Sequence, residues 1–392
     1  MYDLVIRGGT VVTPEAVLTA DIGLFGEKIA ALGNGLEGKS EVDASGKLIL
    51  PGVIDPHVHF SLPVGGTVSS DDFYSGSVAA ACGGVTTVID FTVGAPGRTM
   101  AEDLRSRLED ARPSAVDYSF HGEVVGWRPG RTAEIADAMA NGIKSFKFFT
   151  AYGASGRRTD TGPLYHAFRA IAEGGGVAVV HAEDDSMIEA SASLLSQEEW
   201  GRMRTVSKVR SDLCEASAVN SVGWTAAKAG VRCHIVHLSS ALGLGEVEAA
   251  RTRGAAMTAE TCPHYLLLTS GVYEGPQGHL YSAAPSLRTP DDNEALWRGL
   301  ASGAVDFAAT DHCPFTRTQK EWKGAFDRLP GGLPGVETLL PLLYSEGVSK
   351  GRLSLCALVR ATSEQAAKLY GLYPRKGCLL PGSDGDLVIF DP

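Results

Sequence analysis

The chain has 392 residues, 44% of them apolar and 21% charged, with a net charge of −11, which is ordinary globular composition and excludes a basic nucleic-acid-binding surface. No apolar run approaches the ~18–20 residues of a membrane span, and the start MYDLVIRGG lacks the basic and long apolar regions of a signal peptide. Seven cysteines, an odd number with no CxxC pair, argue against a disulfide framework and for a reducing, cytoplasmic location.

From the N-terminus, residues 1–52 read as all-β. Short apolar runs at 2–6, 11–12, 21–25, 28–31 and 47–50 are separated by turn residues such as Gly8-Gly9 and Gly33-Asn34-Gly35. At Val53 the pattern changes to short apolar runs alternating with longer helical stretches, the signature of βα units on a parallel sheet. Eight such runs are expected as strands, at 53–56, 85–90, 117–122, 143–149, 177–181, 232–237, 256–260 and 306–310. Eight strands over about 260 residues is the size of a (β/α)8 TIM barrel. After Leu353 a helical stretch runs to about Tyr370, and PRKGCLLPGSDGDLVIFDP turns β-like again. The expected architecture is therefore α/β: a barrel over 53–372, with a small β-sandwich built from both chain ends, 1–52 and an incomplete 373–392.

In such a barrel the chemistry sits at the C-terminal ends of the strands. The first run ends in His57-Val58-His59, two imidazoles spaced to reach one metal ion from the same side of a strand. The fifth ends in His181, the sixth in His237, and the eighth is followed by Asp311 and His312. The fourth carries Lys147 among Phe146, Phe148 and Phe149. Burial lowers a lysine pKa, and a neutral amine can add CO2 to form a carbamate whose two oxygens bridge two metal ions. Each residue alone has a structural reading: a capped strand end for the histidines, a helix N-cap for Asp311. Their recurrence at the same end of successive strands favours a metal centre. His121 and His264 are weaker candidates, for support of the site and for lining its pocket; His166, His234 and His279 read as structural or surface residues.

PGVIDPHVHF, SFKFFTAYG, VVHAED, IVHLSS, ETCPHYLLL and ATDHCPF occur in an order that resembles the cyclic amidohydrolases. The stretches from Leu62 to Phe73, Gly83 to Phe91 and Lys368 to Ile389 are most similar to D-hydantoinases and dihydropyrimidinases. The resemblance implies two zinc ions: His57, His59, carboxylated Lys147 and Asp311 around one, Lys147, His181 and His237 around the other. It implies that Tyr152 polarises the substrate carbonyl and that backbone groups near Ala284 and Gly331 bind the ring amide. The resemblance also has departures: Ala284-Pro285-Ser286-Leu287-Arg288 stands for the family's Ser-Pro-Pro-Leu-Arg, Pro330-Gly331-Gly332 for its Pro-Asn-Gly, and Ser61 for the Asp that follows its HxH.

The expected reaction is hydrolysis of a cyclic amide in a hydantoin or dihydropyrimidine ring to an N-carbamoyl amino acid, by a metal-bridging hydroxide, with Asp311 carrying the proton. A small ring amide is the expected partner, handled by a homo-oligomer, dimer or tetramer. Leu62 and Val64, in a loop without a cation, should face an uncharged ring substituent. Allantoinase is the runner-up and dihydroorotase ranks below it, because Phe60-Ser61-Leu62 offers no arginine for a substrate carboxylate. A non-enzymatic scaffold of the collapsin response mediator type ranks last, because every ligand position holds a competent residue.

Overall fold

The computed structural model describes residues 1–95 and 97–392. The chain opens with β1 (Tyr2–Val12), β2 (Val17–Phe25), β3 (Lys28–Gly33), β4 (Gly38–Asp43) and β5 (Leu48–Pro51). β1 is shared along its length: Tyr2 to Arg7 carry β4, and Thr10-Val11 carry β5, with a break in register against β2 between Ile6 and Gly9. Ile6, Val11, Ile22, Ile29, Ile49 and Leu379 form a small apolar core for this sheet. The strand expectations for this segment hold, with one addition: β4 (GKSEVD) is polar and mostly exposed, and so lacks the alternation that marks a strand.

A single residue, Gly52, separates β5 from the first barrel strand, β6 (Val53–Asp55). A Cβ at Gly52 would stand 2.2 Å from the Thr86 hydroxyl, so only glycine lets the two sheets approach here. A two-residue hairpin follows, β7 (Pro63–Val64) and β8 (Thr67–Val68). The remaining barrel strands are β9 (Val85–Phe91), β10 (Asp117–Glu123), β11 (Ser145–Phe149), β12 (Val177–His181), β13 (Arg232–Ile235), β14 (Met257–Thr261) and β15 (Phe307–Ala308). They form one parallel sheet in the order β15-β14-β13-β12-β11-β10-β9-β6. The eight runs read from the sequence are these eight strands, the last one shortened.

The sheet nearly closes at its C-terminal rim, where Val58 bridges His312 in parallel and the His59 N–H donates to His312 O at 2.8 Å. Below, Asp55 accepts the Thr310 N–H at 3.0 Å, joining the first strand to the last. β12 is buried at every position, as expected of a parallel strand covered on both faces. Helices cover the barrel between strands, and their starts are local. Asp72 with Ser75, Thr99 with Glu102 and Thr289 with Asp292 form capping boxes, the last with Pro290 in the first turn.

The last strand, β16 (Leu387–Phe390), returns to pair antiparallel with β5, so both chain ends meet in one six-stranded sheet. Among the described residues no helix is long and apolar enough to cross a membrane.

Candidate metal centre

Lys147 and Phe149 lie one pleat apart on β11 and share a face, while Phe146 and Phe148, on the opposite face, are wholly buried. Lys147 is buried too, its Nζ 5.1 Å from the Phe91 ring centre and 5.2 Å from that of Phe149. Burial pushes its amine down to about 8, against the opposing pull of Asp311, Glu260 and Glu123.

Two groups of ligand-type side chains stand around it. His57, His59 and Asp311 each offer one atom within 4.8 Å of the others; Asp311 Oδ1 is 3.1 Å from Nε2 of both histidines. In the second group His181 Nδ1 and His237 Nε2 face each other at 2.9 Å. The His57 and His237 rings, 5.5 Å apart, join the groups. Neither HxH histidine is inside a strand: the pair follows β6, and the bridge of Val58 to His312 extends the strand direction through it.

The hydrogen bonds on the far sides of these rings argue for a cation. His57 Nδ1 meets Glu260 Oε1 at 2.5 Å. With Nδ1–H donated there, Nε2 turns to the Asp311 carboxylate at 3.1 Å, a place for a proton or a metal ion: burial lowers this imidazole, but Asp311 and Glu260 raise it to about 9. His181 Nε2 meets Glu183 Oε2 at 2.8 Å, which likewise turns a lone pair to His237. His57 Nε2, His59 Nδ1 and His237 Nδ1 are buried with no hydrogen-bond partner. Of these, His57 Nε2 is the one turned to Asp311, and two imidazole nitrogens around one carboxylate oxygen suit a metal ion. The donor set of imidazoles, carboxylate and lysine fits zinc or a similar divalent ion.

Backbone strain gathers here. Among the described residues only Ser61, Tyr152, His237 and Asp311 are non-glycine residues with positive φ, at 46°, 68°, 42° and 50°. Each such conformation costs on the order of 1–3 kcal/mol and tends to mark functional sites. His237 and Asp311 leave their strands through this turn. At Tyr152, Asp185 accepts the Tyr152 and Gly153 N–H groups at 2.9 and 2.8 Å and holds the turn. The Tyr152 ring lies 5.0 Å from that of His181, and burial raises its phenol to about 12.

Ala284 and Gly331 are neighbours: a Cβ on Gly331 would lie 3.8 Å from Ala284 N. Leu62 and Val64 are half-buried at the hairpin after His59. His121 donates and accepts within the barrel, to Pro56 O and Ser145 Oγ, a packed structural role. His264 is buried with a free Nε2.

Three residues of the site escaped the sequence reading. Glu260 orients His57, and although burial opposes it, His57 and His234 hold its carboxyl well below the usual range. Glu183 orients His181. Arg210 pairs with Glu183 and donates to the Tyr152 hydroxyl at 3.1 Å. Both carboxylates carry a signal in retrospect: Glu260 sits near the end of an apolar strand, as the histidines do, and Glu183 follows His181 by two residues. Arg210 carries none, because only the fold brings it across.

The amidohydrolase family model matches residues 48–392. D-phenylhydantoinase of Escherichia coli K12 is 37% identical over 99% of this chain and 86% of its own length. Among solved structures, D-hydantoinase from Bacillus sp. AR9 superposes with a TM-score of 0.97 at 37% identity, covering 100% of this chain and 86% of that one. The dihydropyrimidinase of Brevibacillus agri gives 0.96 at 34%, covering 99% and 86%.

Proposed function

The chain belongs to the amidohydrolase family and is a cyclic amide hydrolase of the hydantoinase and dihydropyrimidinase kind, and from that premise we propose how its residues divide the work. His57, His59, Lys147 and Asp311 would hold one divalent ion, and Lys147, His181 and His237 the other, with zinc as the metal and Lys147 carboxylated. Bound there, the ions would supply an activated water near neutral pH and polarise the ring carbonyl. The observation that carries the assignment is the convergence of His57, His59 and Asp311, each with one ligand atom within 4.8 Å of the others, beside His181 and His237, whose ring nitrogens face each other at 2.9 Å.

The protein groups then have separate tasks. Asp311 takes the proton of the attacking water and delivers it to the ring nitrogen as the C–N bond breaks. Tyr152 accepts a hydrogen bond from Arg210, which leaves its own O–H free to donate to the oxygen that gains charge. Backbone groups at Ala284 and Gly331 hold the ring amide, and Leu62 and Val64 face the ring substituent. Water adds across one C–N bond, and a hydantoin or dihydropyrimidine becomes an N-carbamoyl amino acid. The catalytic unit is the barrel of residues 53–372, with 1–52 and 373–392 as its supporting sheet. Seven cysteines without a disulfide support a cytoplasmic setting.

The test is to load the purified chain with zinc and bicarbonate, measure metal per chain, and follow ring opening of dihydrouracil, hydantoin, 5-substituted hydantoins, allantoin and dihydroorotate in parallel. Two ions per chain are expected, with turnover of dihydrouracil or 5-substituted hydantoins. A desolvated, unpaired substrate carboxylate is costly, so dihydroorotate should react poorly. Efficient turnover of dihydroorotate with the other rings inert would overturn the substrate assignment.

A further inference from the structure

Lys320 is a buried lysine with no carboxylate within salt-bridge distance among the described residues. Its ammonium instead donates to three backbone carbonyls: Leu280 O at 2.9 Å, Ser282 O at 3.0 Å and Gly332 O at 2.5 Å. An ammonium has three donors and no acceptor, so the three carbonyls use it completely. A buried charge is expensive where no counter-charge meets it, and a lysine placed this way is poorly explained by stability alone.

The carbonyls belong to two separate loops, and they flank the two backbone positions assigned to the ring amide. Ser282 stands two residues before Ala284, and Gly332 directly follows Gly331. The loops also bond to each other: the Gly332 N–H donates to Ser282 O at 2.9 Å and the Ser282 hydroxyl to Pro330 O at 2.7 Å. One residue on, Leu333 O accepts the Cys313 N–H at 3.0 Å, which ties the pair to the segment that carries Asp311.

The preceding residue reaches the other side of the rim. Gln319 Nε2 donates to Thr67 Oγ1 at 2.8 Å and to Val68 O at 2.7 Å, on the hairpin that bears Leu62 and Val64. That hairpin is itself fastened to the metal side, since Ser69 Oγ donates to His59 O at 2.7 Å and accepts the Leu62 N–H at 2.8 Å. Two consecutive side chains thus grip three loops.

We propose that Lys320 is a positioning residue that sets the spacing of the two amide-binding loops, and that Gln319 sets the hairpin facing the ring substituent. The proposal rests on the hydrolase reading above. Lys320 acts on the part every substrate shares, Gln319 on the part that differs between substrates. Loops that bind the amide alike in ground and transition states contribute to KM more than to kcat.

The test compares Lys320→Met, Lys320→Arg and Gln319→Leu with the zinc-loaded wild-type chain, on dihydrouracil, hydantoin and 5-phenylhydantoin. Lys320→Met should raise KM about tenfold or more on all three rings, with kcat within about threefold and metal content unchanged. Lys320→Arg keeps the charge in a planar shape that matches three converging carbonyls poorly, and should recover part of the loss. Gln319→Leu should raise KM for 5-phenylhydantoin and leave the unsubstituted rings alone. A folded Lys320→Met with wild-type KM on every ring overturns the role of Lys320. If Lys320→Met does not fold, Lys320→Arg decides: raised KM on all rings supports the proposal, and wild-type KM overturns it. A uniform effect of Gln319→Leu on all rings overturns the division of labour. A wild-type chain that opens none of the panel rings overturns the hydrolase reading and this proposal with it, whereas normal wild-type turnover confines any failure to the brace.

Discussion

Glu260 lies in a row of buried hydrogen bonds: its Oε2 meets His234 Nε2 at 3.1 Å, its Oε1 meets His57 Nδ1, and His234 Nδ1 meets Thr258 Oγ1 at 2.8 Å. Such carboxylates fix the tautomer and raise the basicity of a ligand histidine, and losing one typically costs about 10–100-fold in metal affinity. Glu260→Gln should therefore weaken zinc binding by about that factor in a chelator competition assay; unchanged affinity would show that His57 is oriented without the charge. Lys147 makes a sharper case. At about 8 its amine is partly neutral near neutral pH, the form that adds CO2. Lys147→Ala should lose metal and activity together and regain part of both with a short-chain carboxylic acid; full metal occupancy without the acid would rule out a bridging role. Tyr152→Phe should lower kcat by on the order of 10²–10³-fold, the usual effect of removing one oxyanion donor, and a wild-type rate would reduce the tyrosine to packing.

The helix Phe73–Cys82 shows how an element aims a site it does not touch. Gly76 faces the Phe60 ring so closely that a Cβ would stand 2.1 Å from its edge. Phe60 is wholly buried and follows His59, so it cannot yield without moving the histidine pair. Gly76→Ala should cost about 1–3 kcal/mol, as overpacking of a filled core does, and weaken metal binding as well. A melting curve and a zinc titration check both; an unchanged titration would separate helix packing from ligand placement. The far side of the same strand end is held by Arg107, buried on the helix Met100–Ala111, whose guanidinium donates to Phe60 O, to Phe91 O at 3.0 Å and to Asp90 at 2.8 Å. These elements were largely readable, because parallel strands buried on both faces appear as short continuous apolar runs. β4 was not, because its residues are polar and it pairs only because β1 offers Tyr2 to Arg7 as a free edge.

For the molecule as a whole, the ligand-type side chains come from β11, β12 and the ends of strands 53–55, 232–235 and 307–308, so metal bound among them ties distant parts of the barrel together. Ligands that bind only the folded state stabilise it by RT ln(1 + [L]/Kd), about 4 kcal/mol at a thousandfold excess over Kd. Removing the metal with dipicolinate should therefore lower Tm by roughly 5 °C, because a chain of 392 residues shifts by only about 1 °C per kcal/mol, with recovery on adding zinc back. No shift on chelation would mean that the site does not hold metal under those conditions. Tyr74, Leu213 and Trp224 leave large apolar surface exposed on the outer helices, and light scattering should return a dimer or tetramer.

The order of strands, the parallel sheet and the list of side chains at strand ends were determined by sequence alone, because hydrophobic period and turn chemistry are local and each βα unit repeats them. The HxH spacing, and a lysine set among phenylalanines, are equally local. Which atoms face one another was decided only by tertiary structure. His181 meets His237 across 56 positions, His57 meets Glu260 across 203, and Lys320 gathers carbonyls from 12 to 40 residues away. Glu260, Arg210 and Lys320 look in the sequence like any other charged residue. Their roles arise when closure of the barrel removes water around them, and each buried charge must then find its partner in whatever the fold has brought alongside.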